Sequence, residues 1–365
     1  MIDEDTGIRK VVVNTPAGRS GGVCLAALLA VAAVSSPAQR IAPARPAVPV
    51  EPISAILDAF RRHAVVALGE PHGNEQAHAF RLSLIRDPRF AAAVNDIVVE
   101  YANGRYQDLM DRFVRGGDVS DQALRQVWQN TTVPSTLWDR PIYEEFFRVV
   151  RAVNASLPPA RQLRVLLGDP PIDWDEVHSA DDLRKWQRDR DTYPAGLIRR
   201  EVLARRRRAL VIYGDAHLWR HTPAPNLVSL LERAGETKVF TISTNVDGDL
   251  QRLQADVGEW RAPSLAMIGG TAIGATDFGA YYPLPDDRWP DVRIDEQLDA
   301  LLYLGPRSSL TFSQLDPRHC ADRPYLEMRL RRMSLGPGGT GEMTRLRRYC
   351  AINAPKETGG TSPVR

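Results

Sequence analysis

Four short apolar runs in this chain each stop at a cluster able to do acid–base or metal chemistry. Val65–Leu68 ends in Gly69-Glu70-Pro71-His72-Gly73, Ile97–Val99 ends at Glu100, Arg164–Leu167 ends in Gly168-Asp169, and Leu210–Tyr213 ends in Gly214-Asp215-Ala216-His217. Glycine allows the tight turn and close backbone approach that such an ending needs. Two imidazoles with several carboxylates suit a divalent ion, since both are ligands for Zn, Mn or Fe. The expected metal set is Glu70, His72, Glu100 and His217, and the expected acid–base groups are Glu70, Glu100 and Asp215. With a metal, the ion would activate water and a spare carboxylate would take its proton. The same groups without metal could carry acid–base catalysis, and as a third reading they could cap helix N-termini. Asp169 suits capping as well as it suits chemistry.

Weaker signals surround these. Tyr101 and Tyr106 follow the second run closely enough to serve as cofactor ligands, although most such tyrosines only pack. Arg205–Arg208 reads as a helix end rather than an anion site, because cations complement the C-terminal dipole. Gly269 to Gly274 looks like a phosphate-cradling turn but lacks the rest of a nucleotide-binding pattern. There is no Gly-X-Ser-X-Gly elbow, which argues against a serine hydrolase of the usual kind.

Elements that could bring these residues together are legible. The runs Val65–Leu68, Ile97–Val99, Arg164–Leu167, Leu210–Tyr213, Val239–Ser243, Leu265–Ile268 and Leu301–Leu304 mostly lack polar alternation, as strands buried on both faces do. Helical patterns lie between them at Ile53–Arg62, Glu75–Ile85, Tyr106–Val114, Asp121–Asn130, Ile142–Asn154 and Leu197–Arg206. The expected fold is therefore α/β: a mostly parallel sheet with helices on both faces, whose ligands sit at the strands' carboxyl ends. Residues 106–163 are too many for one crossover and predict a three-helix insertion after the second strand, with Ser120 as an N-cap. The α/β domain is expected over 51–335, with the parallel pattern fading after Gly305 and a helix over Asp322–Leu335. A glycine-rich break follows at Gly336–Gly341, in a polar tail over 336–365 whose last ten residues are disordered.

The first residues read differently. Arg9, Lys10 and Arg19 precede an apolar run from Gly22 to Val34 and then Ser35-Ser36-Pro37-Ala38. A basic start, a short apolar core and small residues predict a signal peptide over 1–38, followed by a Pro/Ala-rich linker over 39–50. The apolar core falls short of the roughly 20 residues a span needs, so no stable membrane span is expected after signal removal. The expected location is the periplasm, the envelope or the medium. Cys320 and Cys350 would then form a disulfide, with two free thiols as the alternative. The chain of 365 residues has 47 basic and 45 acidic side chains, so nothing directs it to nucleic acid.

Three segments resemble the haem-binding uptake and Tiki superfamily, and within it the ChaN-like family. They are Val65–His78 (VVALGEPHGNEQAH), Val98–Gly116 (VVEYANGRYQDLMDRFVRG) and Leu210–Pro225 (LVIYGDAHLWRHTPAP), with Trp138, Asp139 and Tyr143 between them. The likeness covers roughly 53 to 245. It implies that Glu70, His72, Glu100 and His217 carry the site, while Asp215 stands where the relatives vary. It further implies either metal-dependent hydrolysis, as in Tiki-like and more distantly erythromycin-esterase-like relatives, or haem and iron binding without catalysis. The converging polar groups favour the hydrolase. The expected ligand is a small molecule, a peptide or haem, and a homodimer stays open.

Overall fold

The computed structural model describes residues 45–355 except 234, 236, 247 and 283–291. The expected signal peptide, the linker before residue 45 and the last ten residues lie outside the described residues.

Among the described residues eight strands form one sheet: β1 (Pro49–Val50), β2 (Val65–Gly69), β3 (Asp96–Asn103), β4 (Arg164–Asp169), β5 (Ala209–Tyr213), β6 (Val239–Thr244), β7 (Ser264–Met267) and β8 (Ala300–Tyr303). Their order is β1-β7-β8-β6-β2-β5-β3-β4. The six strands β2–β6 and β8 run parallel, while β7 lies antiparallel to β8 and β1 antiparallel to β7. An apolar run carries no sign of its direction, so the reversal at Leu265 was not visible in the sequence. Alternation along each strand divides the core. Val66, Leu68 and Val99 pack on one face with Ile85, Phe146 and Phe147. Val65, Ala67 and Val98 pack on the other with Leu197, Ile198 and Leu231. This is the period-two geometry of a sheet covered on both sides.

Two helices near the start matter below: α1 (Pro52–Ala59) and α2 (Glu75–Arg86). Asn74 caps α2 by accepting from Ala77 N at 2.8 Å. The insertion after β3 holds helices at Gln107–Val114, Asp121–Gln129 and Pro141–Ala155, and Ser120 Oγ caps the second by accepting from Ala123 N at 3.2 Å. Arg207 of the basic run donates to Asp96 Oδ2 at 2.6 Å, closing the sheet at the end opposite the polar clusters.

The C-terminal extension corrects one expectation. Residues after Gly336 are not simply a polar tail, because a helix over Arg323–Leu335 is followed by a second over Gly339–Asn353. The turn between them places Gly338 at φ +69°, a conformation that costs glycine nothing. Leu315, Met333 and Leu346 form a small core for this unit. Cys320 and Cys350 are bonded, 30 residues apart. Among the described residues no helix is long and apolar enough to cross a membrane.

A closed loop of this length should contribute about 3–4 kcal/mol by constraining the unfolded chain. Chemical denaturation of Cys320→Ser should show a loss of that size. A loss under about 1 kcal/mol would mean that the extension is held by packing and by its anchors to the domain.

Candidate functional site

The site begins with a buried carboxylate. Glu70 immediately follows β2, and its side chain is fully buried beneath the turn that carries His72. A charge in such a place must be paired and hydrogen-bonded. His72 Nδ1 lies 2.6 Å from Glu70 Oε2. Arg81 Nη2 and Tyr143 Oη each donate to Oε1 at 3.3 Å. Burial alone would push the Glu70 carboxyl up, but the His72 hydrogen bond and the Arg81 charge hold it below the usual range. Arg81 comes from α2 and Tyr143 from the insertion. Tyr143 Oη also accepts from Gly73 N at 2.9 Å, fastening the turn to the carboxylate it covers. Gly73 is at φ +82°, and a Cβ there would collide with Arg140, whose guanidinium donates to the His72 carbonyl at 3.0 Å.

His72 itself stays reachable, its side chain 37% exposed, with Trp138 edge-on at 4.8 Å between ring centroids. Burial tends to lower the imidazole's pKa, but the bond to Glu70 and that carboxylate's charge raise it above the ordinary value. With Nδ1–H given to Glu70, Nε2 is left as the lone-pair nitrogen.

A second imidazole stands on the other face. Glu100 of β3 accepts from Gly214 N at 2.7 Å through Oε2, while Arg190 donates to Oε1. His217 Nε2 is 3.4 Å from the same Oε1, and its Nδ1 is 2.7 Å from Asp191 Oδ1. Asp191 also accepts from Leu227 N at 2.8 Å. Burial works against the His217 cation, but Glu100 and Asp191 overcome it and raise the pKa to about 9. Burial likewise opposes the Glu100 charge, yet His217 and Arg190 hold that carboxyl well below its ordinary value. Gly214 lets the halves meet: a Cβ there would stand 3.0 Å from His72 Cε1 and 3.3 Å from Glu100 Oε2.

The structure thus brings Glu70, His72, Glu100 and His217 to one place, but as two carboxylate–imidazole pairs. The expected divalent-metal set finds no support in the geometry: among the described residues no group of three or more His, Cys, Asp or Glu side chains is arranged to hold an ion. The cause is strand geometry. Glu70 continues the alternation of Val66 and Leu68, whereas Glu100 continues that of Val98, so the two carboxylates descend to opposite faces. Each then meets an arginine instead of a shared metal.

Other expected residues lie elsewhere. Asp215 is 7% exposed and turned toward the neighbouring strands, where Ser243 donates to its Oδ2 and Gly69 leaves room for its Oδ1. Tyr101 is 1% exposed and packs among Trp138, Tyr143, Phe146 and Phe147. Tyr106 Oη accepts from Asn130 Nδ2 at 2.6 Å in the insertion. Arg81, Arg190 and Asp191 were missed, because none stands at a strand end. The adjacency of Arg190 and Asp191 in a charged stretch before a helix was the one available signal.

Asp169 is a structural acid. It is buried, and Thr132 donates to it from both N (2.7 Å) and Oγ1 (2.6 Å), joining β4 to the insertion. Burial raises its pKa to about 7, against the pull of Arg190 and the Thr132 hydrogen bonds. The folded pKa exceeds the unfolded one, so ionisation destabilises the fold as pH rises from about 4 to about 7. Asp169→Asn should therefore raise the thermal midpoint at pH 8 relative to the parent and change little at pH 4. A midpoint lowered at both values would contradict this assignment.

Residues 56–160 match the family model described as haem-binding uptake, Tiki superfamily, ChaN. No curated protein matches the sequence. Among solved structures, a succinoglycan biosynthesis protein aligns at TM-score 0.50 and 10% identity, over 74% of this chain and 96% of that one. An erythromycin esterase mutant in its open conformation aligns at 0.47 and 12%, over 72% and 94%. ChaN of Campylobacter jejuni with cofacial haem aligns at 0.35 and 12%, over 52% and 84%. At such identity the first likeness speaks for the fold alone. The chain thus carries, over the 56–160 stretch that supplies Glu70, His72, Arg81, Glu100 and Tyr143, the sequence pattern of the haem-binding uptake, Tiki superfamily, ChaN family.

Proposed function

We propose that this protein is an exported hydrolase that cleaves an ester by acid–base catalysis. His72 activates water, and the His217 cation contributes positive charge to the same cluster. The observation that carries this reading is the 2.6 Å contact between His72 Nδ1 and a fully buried Glu70, with the ring still open to solvent. A buried carboxylate fixes the tautomer and orientation of the imidazole and stabilises its protonated form. His72 Nε2 takes the proton from water as oxygen attacks the acyl carbon. Cleavage of the C–O bond then returns a proton to the leaving alkoxide, and the products are an acid and an alcohol. His217 is charged at neutral pH and offers positive charge where the oxyanion develops. Export is supported by the pattern ending near Ala38 and by the Cys320–Cys350 bond, which persists in oxidising compartments.

Haem is the second reading, favoured by the family match. His72 could supply one axial nitrogen. A haem also needs a broad apolar face, and the exposed large hydrophobic residues Val48, Val50, Met267, Phe312 and Ile352 are scattered along the chain, with only Phe312 paired to the His72 turn. The residues therefore fit an axial ligand but not the platform, and no step is built on haem.

Five outcomes are expected. With 4-nitrophenyl esters, His72→Ala should lower kcat/KM by about 10³, and chelator treatment should leave the parent rate unchanged. Full activity in His72→Ala would end the proposal, and loss of activity to chelator would restore a metal. The pH profile of kcat/KM should be a bell. The rate rises as His72 loses its proton above its ordinary pKa of about 6.5, and falls as His217 loses its proton near pH 9. Glu70→Gln should move the acidic limb to lower pH, and an unmoved limb would detach Glu70 from His72. On addition of haem, absorbance should show no saturable shift that depends on His72; such a shift would favour the second reading.

A further inference from the structure

The last helix of the extension, Gly339–Asn353, is lightly held for its length. Leu346 is its one fully buried apolar side chain, packed with Leu315 and Met333. Among the described residues one side-chain hydrogen bond leaves the helix, from Tyr349 Oη to the Leu315 carbonyl. The remaining tie is covalent, through Cys350 to Cys320.

What this helix covers runs on into the His72 turn. Leu315, gripped by Leu346 and Tyr349, stands two residues past Ser313, whose N–H donates to the Gly73 carbonyl at 2.9 Å. Just before it, the Thr311 carbonyl accepts from Glu75 N at 3.0 Å, and Thr311 Oγ1 donates to Glu75 Oε2 at 2.6 Å. Beyond Cys320, Tyr325 and Arg329 donate to the buried Asp139, next to Trp138, whose ring meets His72 edge-on at 4.8 Å. Cys320 thus lies between the two stretches by which the extension grips the site. Both cysteines are half-buried rather than enclosed. Accessible disulfides are the ones that reductants open, whereas enclosed structural ones resist.

We propose that the Cys320–Cys350 bond is a redox modification site that controls the His72 turn. Its partner is a dithiol reductant. One thiolate of the dithiol attacks a sulfur of the bond, and the other cysteine leaves as a thiolate and takes a proton. The second thiol then displaces the cysteine held in the mixed disulfide. Two electrons and two protons pass to Cys320 and Cys350, and the dithiol becomes a disulfide. Without the covalent tie the helix Gly339–Asn353 undocks, Leu315 loses its cover, and the segment that braces Gly73 and Glu75 loosens. His72 then loses the orientation on which its activity depends.

Hydrogen exchange and esterase rates of the full chain, oxidised and after dithiothreitol, test this. Reduction without denaturant should yield two thiols absent from the oxidised protein. Amide exchange over residues 71–78 should quicken about tenfold, while β2 and β5 keep their protection. The kcat/KM for 4-nitrophenyl esters should fall about tenfold, as for a reacting group displaced by a fraction of an ångström, and return on reoxidation. The loss of activity rests on the esterase reading above, whereas the change in exchange does not. A parent without esterase activity would therefore end that reading and leave exchange to decide this one. The double variant Cys320→Ser, Cys350→Ser should match the reduced parent and ignore dithiothreitol. A bond that stays closed in the native protein, unchanged exchange over 71–78, loss of protection spreading to β2 and β5, or an active parent whose rate ignores reduction would each overturn the proposal.

Discussion

The buried Glu70 carboxylate is the constraint around which the carboxyl edge of the sheet is built. Removing such a charge from water costs several kcal/mol unless partners replace the lost solvent. Here the partners come from three parts of the chain: Arg81 from the helix after β2, Tyr143 from the insertion, and His72 from the turn itself. Satisfying one carboxylate therefore fixes the positions of three elements relative to one another. The same requirement makes the His72 imidazole the outermost member of the group. Arg81 and Tyr143 fill the buried side of Glu70, and the His72 ring is left in contact with solvent.

Glu100 repeats the arrangement across the sheet with different partners. Arg190 is to Glu100 what Arg81 is to Glu70, and Asp191 orients the second imidazole. Two adjacent residues thus serve both members of the Glu100–His217 pair. The two faces differ in one respect that matters for chemistry. His72 has one carboxylate and solvent access, which leaves a nitrogen able to accept a proton. His217 lies between two carboxylates and is mostly buried, which keeps it cationic. The same residue type thus meets two different electrostatic surroundings on the two faces.

Much of this was legible in the sequence, for identifiable reasons. Buried parallel strands read as unbroken apolar runs, so β2, β3, β4 and β5 and the polar groups at their ends could be found without a structure. What periodicity could not supply was the face on which each strand-end residue lands. Glu100 and Tyr101 are neighbours in sequence and both stand among the expected site residues, yet a strand sends consecutive side chains to opposite sides. Tyr101 went into the aromatic core. The same alternation separates Glu70 from Glu100 onto opposite faces. Arg81, Arg190 and Asp191 were invisible for another cause: a residue on a helix reaches the site through packing angles that no local pattern encodes.

The C-terminal extension lies beyond the family match, yet it is fastened to the same edge. Ser313 N donates to the Gly73 carbonyl at 2.9 Å, and Glu75 N donates to the Thr311 carbonyl at 3.0 Å, so the segment after β8 runs beside the turn that holds His72. Farther along, Tyr325 and Arg329 both donate to the buried Asp139, next to Trp138, whose ring edge meets His72. Buried ion pairs of this kind add little net stability over apolar packing, but breaking one strands a charge and is severe. Their effect here is to fix register: the helix Arg323–Leu335 can dock in only one position without leaving Asp139 unpaired. The family-matched stretch supplies His72 and the groups that orient it. The extension runs beside the turn that carries it.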